Sequence, residues 1–238
     1  TLSRLISIPA GSVVGSVTLS GVADSRDEND ETVVIDMTCD PEFCTENPLQ
    51  QQTVILLDDT PPPDVTLSIG NSQINEDNGS TTVTATLKTV SDLNVTVTLT
   101  LTGTAIKDKD YLLAEKIVIP AGSLSGVVTL SAIVDLLYDK DETVIIDMAC
   151  DETCNEATPQ QQTVTIVDDE AIPTVTLSVS VESKSINEGT GTTSTFVTST
   201  LSAISGFDAT VTLTTSGTAT STVDFTLPLT ILIPAGSL

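Results

Sequence analysis

Residues 94–102 read "NVTVTLTLT", with Val95, Val97, Leu99 and Leu101 alternating with Thr96, Thr98, Thr100 and Thr102. Residues 81–88, "TTVTATLK", set Val83, Ala85 and Leu87 between Thr82, Thr84 and Thr86. Successive side chains of an extended chain point to opposite faces, so this period of two predicts half-buried strands with a β-branched polar face. The same reading predicts strands at "DVTLSI" (64–69), "KIVI" (116–119), "GVVTLSAIV" (126–134), "ETVIIDM" (142–148) and "QTVTIV" (162–167). Gly, Pro, Asp and Asn turns separate them, and no stretch carries a helical period. About seven short strands in about 110 residues predict an all-β, two-sheet Greek-key sandwich of the immunoglobulin-like kind.

The pattern repeats. "IPAGS" stands at 8–12, 119–123 and 233–237, so Pro120 follows Pro9 by 111 residues and Pro234 follows Pro120 by 114. "DETV" (30–33, 141–144), "IDM" (35–37, 146–148), "QQQTV" (50–54, 160–164), "INE" (74–76, 186–188) and "GTA" (103–105, 217–219) keep the same beat. A period of that length is a whole domain. The expected organisation is the C-terminal half of a first repeat at 1–60, a complete middle repeat at 61–170 and the N-terminal half of a third at 171–238. Strand exchange between half-domains would supply the "IPAGS" strand twice, so a window on a longer tandem polypeptide is the expectation. "DDTPPPD" (58–64) and "DDEAIP" (168–173) are expected to be stiff junctions, because proline favours extended chain.

Apolar residues make up 39% of the chain and aromatics only 3%, enough for small sandwich cores. The net charge of −25 excludes the phosphate-binding basic patch that nucleic acid or an anionic membrane would need. No run of apolar residues is long enough to span a bilayer. The chain has no His, which removes Ser–His and Cys–His nucleophile systems, and no Gly-rich phosphate loop follows a strand. The expectation is that it is not an enzyme. The acids cluster: "DSRDENDE" (24–31) is dense in them, whereas 189–207 has none. Clustering favours local cation sites over a uniformly solvated surface, and hard cations such as calcium take six to eight oxygen ligands. Solvated turn acids without an ion are the alternative.

The Asn-Glu after the first strand resembles the Calx-beta domain. So do the Gly-Thr-Ala turn leading to Asp110-Tyr111 and Asp224-Phe225, the Ile-Pro-Ala-Gly-Ser turn, the acidic loop ending Asp-Glu and the closing "TIVDD". The resemblance implies tandem immunoglobulin-like sandwiches with calcium held by loops at one end. It carries the family's ligand pattern to Glu76, Asp110, Asp135, Asp139, Glu142, Asp168 and Asp169 of the middle repeat. In the first repeat it points to Asp24, Glu28, Glu31, Asp58 and Asp59, and in the third to Glu188 and Asp224. The chain departs from the family at Ser25 and Leu136, where a second Asp often follows the first.

Cys39 and Cys44, and Cys150 and Cys154, are local pairs in equivalent loops. A zinc site without His would need four thiolates from loops a full repeat apart, so two loop-clamping disulfides are expected over free thiols or metal, and with them an extracellular or cell-surface setting. "NGS" (78–80) and "NVT" (94–96) are sequons that offer Asn78 and Asn94 to glycans, and Thr60 beside "PPP" could carry O-linked sugar. Together these readings predict a segment of a long extracellular structural protein: a fibre, adhesin stalk or matrix component stiffened by calcium. Its partners would be neighbouring repeats, other copies in a fibre and covalent glycans. A calcium-sensing or ligand-binding module is the alternative. It would need only one or two domains and would change shape with calcium.

Overall fold

The computed structural model describes residues 5–46, 50–157, 160–180, 184–189 and 194–237. Its regular structure there is entirely β. The first strands, β1 (Glu31–Ile35) and β2 (Gln52–Leu56), form an antiparallel pair. The middle unit follows. It comprises β3 (Asp64–Ile69), β4 (Gln73–Asn75), β5 (Ser80–Leu87), β6 (Val95–Gly103), β7 (Tyr111–Leu112), β8 (Lys116–Ile119), β9 (Ser125–Ala132), β10 (Glu142–Cys150), β11 (Asn155–Glu156) and β12 (Gln162–Val167). The last unit has β13 (Val175–Val179) paired with β14 (Val197–Leu201), and β15 (Ala209–Thr212) paired with β16 (Thr230–Ile233).

The middle unit is a two-sheet sandwich, with strand orders β4-β12-β10-β6-β8 and β11-β3-β5-β9-β7. The odd-numbered strands β3–β11 form one sheet and the even-numbered β4–β12 the other, so the chain crosses between the two sheets at every connection. The predicted alternation sets the two faces. Val83, Ala85 and Leu87 of β5 and Val95, Val97 and Leu99 of β6 are buried in one core, joined by Ile117, Ile119, Val144, Ile146 and Val164. Within the middle unit the sequence pattern missed only the shortest strands, β4, β7 and β11, because a piece of two or three residues shows no period.

Local chemistry fixes the connections. Each "IPAGS" is a tight turn in which Ser123 N–H donates to Pro120 C=O at 2.9 Å while Gly122 takes φ 76°. That left-handed position is the one a type II turn reserves for glycine. Gly11 (φ 84°) and Gly236 (φ 76°) do the same. The repeated "QQQTV" also has a task. Gln160 is buried; its Oε1 accepts from Leu67 N–H at 2.7 Å and its Nε2 donates to Val65 C=O at 3.0 Å. The side chain satisfies the β3 backbone where the short β11 pairing runs out, just past Val65, which avoids the cost of orphaned buried groups. Both expected disulfides are formed, Cys39–Cys44 and Cys150–Cys154, with Cα separations of 5.9 and 5.4 Å. The second closes the loop that brings Asn155 alongside β3, where its N–H donates to Pro63 C=O at 3.0 Å and its Nδ2 to Pro62 C=O at 2.7 Å.

Candidate metal centre

The end of the middle sandwich that faces the last unit gathers six of the seven acids expected in the middle repeat. Glu76, Asp110, Asp135, Asp139, Glu142 and Asp168 line one small pocket together with Lys140 and Ile166. They arrive on four pieces of backbone, with Asp135, Asp139 and Glu142 sharing the loop that leads into β10. Glu76 follows β4, and its N–H donates to Val167 C=O at the end of β12 at 3.0 Å. Glu142 opens β10, in register with Ile166 of β12. Asp110 is held by the turn after "GTA", where Asp108 takes φ 65° and Ile106 N–H donates to Asp110 Oδ2 at 2.6 Å. Asp135 begins the acidic loop, accepts from Leu137 N–H at 2.6 Å, and donates its own N–H to Glu76 Oε1 at 3.2 Å. Asp139 N–H donates to Asp168 Oδ1 at 3.2 Å.

Backbone N–H groups therefore aim several of these carboxylates, but they do not cancel the charge. Burial, and then the Asp135 charge, push the Glu76 carboxyl up to about 7. Burial, then the charge of Asp110 and a hydrogen bond with it, also raises Glu142. Asp139 is raised by burial, then by Asp168 and Asp135. Such shifts mark carboxylates that repel one another in a partly desolvated place. The cations at hand are few: Lys140 lines the pocket, and Lys109 Nζ lies 3.1 Å from Asp110 Oδ1.

Of the expected set, Asp169 is exposed and is not among the lining residues. Glu170, not expected from the sequence, takes part instead. Its carboxylate comes within 4.8 Å of those of Glu76 and Asp168, and its Oε2 is buried without a hydrogen-bond partner. Glu170 stands where the first unit has Thr60, so no repeat pointed to it. Asp141, part of the same acidic cluster but outside the expected ligand set, accepts from Asp168 N–H at 3.3 Å.

The first unit builds the same frame. Arg26 N–H donates to Asp24 Oδ1 at 2.9 Å, Glu28 N–H to Asp58 Oδ2 at 3.5 Å, and Asp58 N–H to Asp30 Oδ1 at 2.9 Å. Glu28 is raised by desolvation, then by Glu31 and Asp24. Asp59, like Asp169, is exposed. In the last unit Glu188 and Asp224 line one open cavity with Val223 and Phe225. The Asp224 turn copies that of Asp110, with Thr220 N–H donating to Asp224 Oδ2 at 2.7 Å and Thr222 at φ 68°.

The three expected sugar positions differ in their surroundings. Asn78 is exposed with φ 64°, and its Nδ2 donates to Asp77 Oδ1 at 2.9 Å. Asn94 is exposed, and its Oδ1 accepts from Ala121 N–H at 2.9 Å. Asp208 makes the same bond to Ala235, so the position also serves the "IPAGS" turn. Thr60 is half-buried.

Among the described residues no helix is long and apolar enough to cross a membrane. No protein-family model matches the sequence, and no curated protein matches it. Solved structures similar to it include CBD12 from CALX1.2, at 22% identity and a TM-score of 0.40, covering 44% of this chain and 44% of that one. The apo-form Calx CBD1 domain is similar at 21% identity and a TM-score of 0.37, over 44% of this chain and 98% of that domain. WR4, a C. elegans MSP family member, is similar at 13% identity and a TM-score of 0.29, over 43% of this chain and 97% of its own. The chain thus spans less than half the length of the CBD12 structure. The assignment of an all-β, immunoglobulin-like sandwich rests on the sheets themselves.

Proposed function

We propose that this chain is a segment of an extracellular tandem-repeat structural protein, a fibre, stalk or matrix component, whose units are stiffened by calcium. Residues 1–60, 61–170 and 171–238 are then the C-terminal half of one repeat, a complete repeat and the N-terminal half of a third. The observation that carries the reading is the position of the acidic pocket. It lies on the loop that touches the next unit: a Cβ on Gly206 would meet the Cβ of Asp139 at 2.8 Å. A cation there would act on the joint as well as on the domain.

The residues fit a hard divalent cation. The donors are carboxylates, they exceed the lysines beside them, and Glu170 offers an orphaned buried oxygen. Calcium takes such oxygens, and weak sites suit a calcium-rich exterior. Glu76, Asp110, Asp135, Asp139, Glu142 and Asp168 would hold it, with Glu170 beside them. When bound, the ion supplies positive charge that offsets carboxylate repulsion. The protein's own part is to aim these oxygens from backbone N–H groups and to hold the acidic loop against the next unit. No step of catalysis is assigned to the chain. Two disulfides and two sequons suit an oxidising, glycan-bearing exterior, with neighbouring repeats and other copies as partners.

The test is a calcium titration of the whole chain, read by thermal melting. An ion at about 100-fold over its Kd adds roughly 2.7 kcal/mol to the folded state. The expected result is a rise in Tm that Asp135→Asn with Asp168→Asn abolishes. A Tm indifferent to calcium would leave these acids as solvated turns. A sensor would instead show a large calcium-driven change in the angle between units. Glycopeptide mapping of Asn78, Asn94 and Thr60 tests the sugar reading.

A further inference from the structure

The two joints between units are copies of one another. At the first, Asp27 forms a parallel bridge with Ser91, and Asp92 N–H donates to Asp27 C=O at 2.9 Å. At the second, Tyr138 bridges Ser205 in the same sense, and Gly206 N–H donates to Tyr138 C=O at 2.9 Å. Tyr138 lies one repeat beyond Asp27, and Ser205 and Gly206 one repeat beyond Ser91 and Asp92. Both serines are buried. Each closes its own loop with its Oγ, accepting at 3.0 Å from Leu93 N–H in one case and Phe207 N–H in the other. Each also offers its carbonyl to the "IPAGS" glycine behind it, Gly122 and Gly236, at 2.8 Å. The motif that recurs most conspicuously along the chain therefore braces the loop that receives the neighbouring unit.

The side chains laid on this shared frame differ in kind. The first joint is ionic: Arg26 Nη1 reaches Asp92 Oδ1 at 2.7 Å and Oδ2 at 3.0 Å, and Ser91 Oγ donates to Asp27 Oδ2 at 2.7 Å. The second is aromatic. Tyr138 meets Phe207 edge-on with centroids 6.1 Å apart, and Lys140 Nζ lies 5.4 Å from the Phe207 ring. Gly206 replaces Asp92 there, where a side chain would run into Asp139.

We propose that the loop at residues 89–93, and its counterpart at 203–207, is a docking surface for the acidic loop of the preceding repeat, keyed by matched side chains so that each joint accepts its own neighbour. The partner is a second copy of this domain, and the key is what varies between copies. An ionic key responds to salt and an aromatic one does not. A mismatched pair sets like charges together or drives a side chain into Asp139, which is how repulsion makes pairing selective.

The amides that cross the joints give a direct readout, since Asp92 and Gly206 are protected from hydrogen exchange only while their units are docked. The experiment uses the full chain without added calcium, which separates it from the metal reading. Arg26→Asp should abolish protection of the Asp92 amide and leave that of Gly206 intact. Asp92→Arg alone should do the same, and the two changes together should restore protection. Salt at about 1 M should weaken protection at Asp92 and spare Gly206. Phe207→Ala should reverse the pattern. Protection at Asp92 that survives Arg26→Asp, or that the double reversal fails to restore, would overturn the keyed docking.

Discussion

Leu67 and Leu177 occupy the same place in successive repeats, as do Val65 and Val175. In the middle unit they are 5% and 0% exposed; in the last they are 55% and 45% exposed. Val164 and its counterpart Val54 in the first unit differ in the same way, 0% against 39%. The residues and the alternation are alike. What differs is the second sheet. In the middle unit β3 and β5 lie over β10, β6 and β8 of a five-stranded sheet, whereas β13–β14 meets only the two-stranded β15–β16, and β1–β2 is a two-stranded pair by itself. Period two therefore specifies which face can be buried, and only a facing sheet buries it.

The sharpest way to break this comparison is to truncate both members of a pair. Leu67→Ala should cost about 2–5 kcal/mol, as core leucines do. Leu177→Ala should stay within about 0.5 kcal/mol, as changes at exposed sites do. Urea unfolding monitored separately in the two units measures both. Equal losses would mean that the last unit is covered in solution.

A second contrast uses glycine. Gly103, the last residue of β6, and Gly217, in the equivalent "GTA" five residues beyond β15, both have left-handed backbone, φ 121° and 129°. A Cβ at Gly103 would meet Thr143 O at 2.1 Å, while at Gly217 nothing lies within 4 Å. Gly103→Ala should therefore cost about 2–4 kcal/mol, from crowding plus backbone strain, and Gly217→Ala about 1 kcal/mol from strain alone. Thermal melts of the two variants would separate the terms.

The smallest expected effect is that of pH. Glu76 titrates from an ordinary value of 4.5 up to about 7 in the fold. A raised carboxyl adds stability that is complete below its unfolded value and is lost as pH rises through its folded one. Calcium-free protein should thus melt progressively lower as pH rises from about 4.5 to about 7, and Glu76→Gln should flatten that slope. Saturating calcium, which favours the charged form, should reverse its sign.

Much of this molecule was legible in the order of its residues. Strand positions in β5, β6, β8, β10 and β12, and the inward faces of each, follow from alternation, because side-chain direction in a strand depends only on parity. The "IPAGS" turn, the two local cysteine pairs and the clustering of acids are also short-range facts, set by glycine backbone freedom and sequence proximity. Tertiary structure alone decided the rest. It chose Glu170 over Asp169 for the acidic end, since which of two adjacent side chains turns inward depends on where the chain leaves β12. It joined Gln160 to the backbone of β3 across more than 90 residues of chain. It also brought Ser91 against Asp27 and Ser205 against Tyr138, where hydrogen bonds that close over so long a separation leave no periodic trace in the sequence. A pattern records what each segment can present to its surroundings. Which surroundings meet it is fixed only when distant segments are packed and their polar groups must find partners.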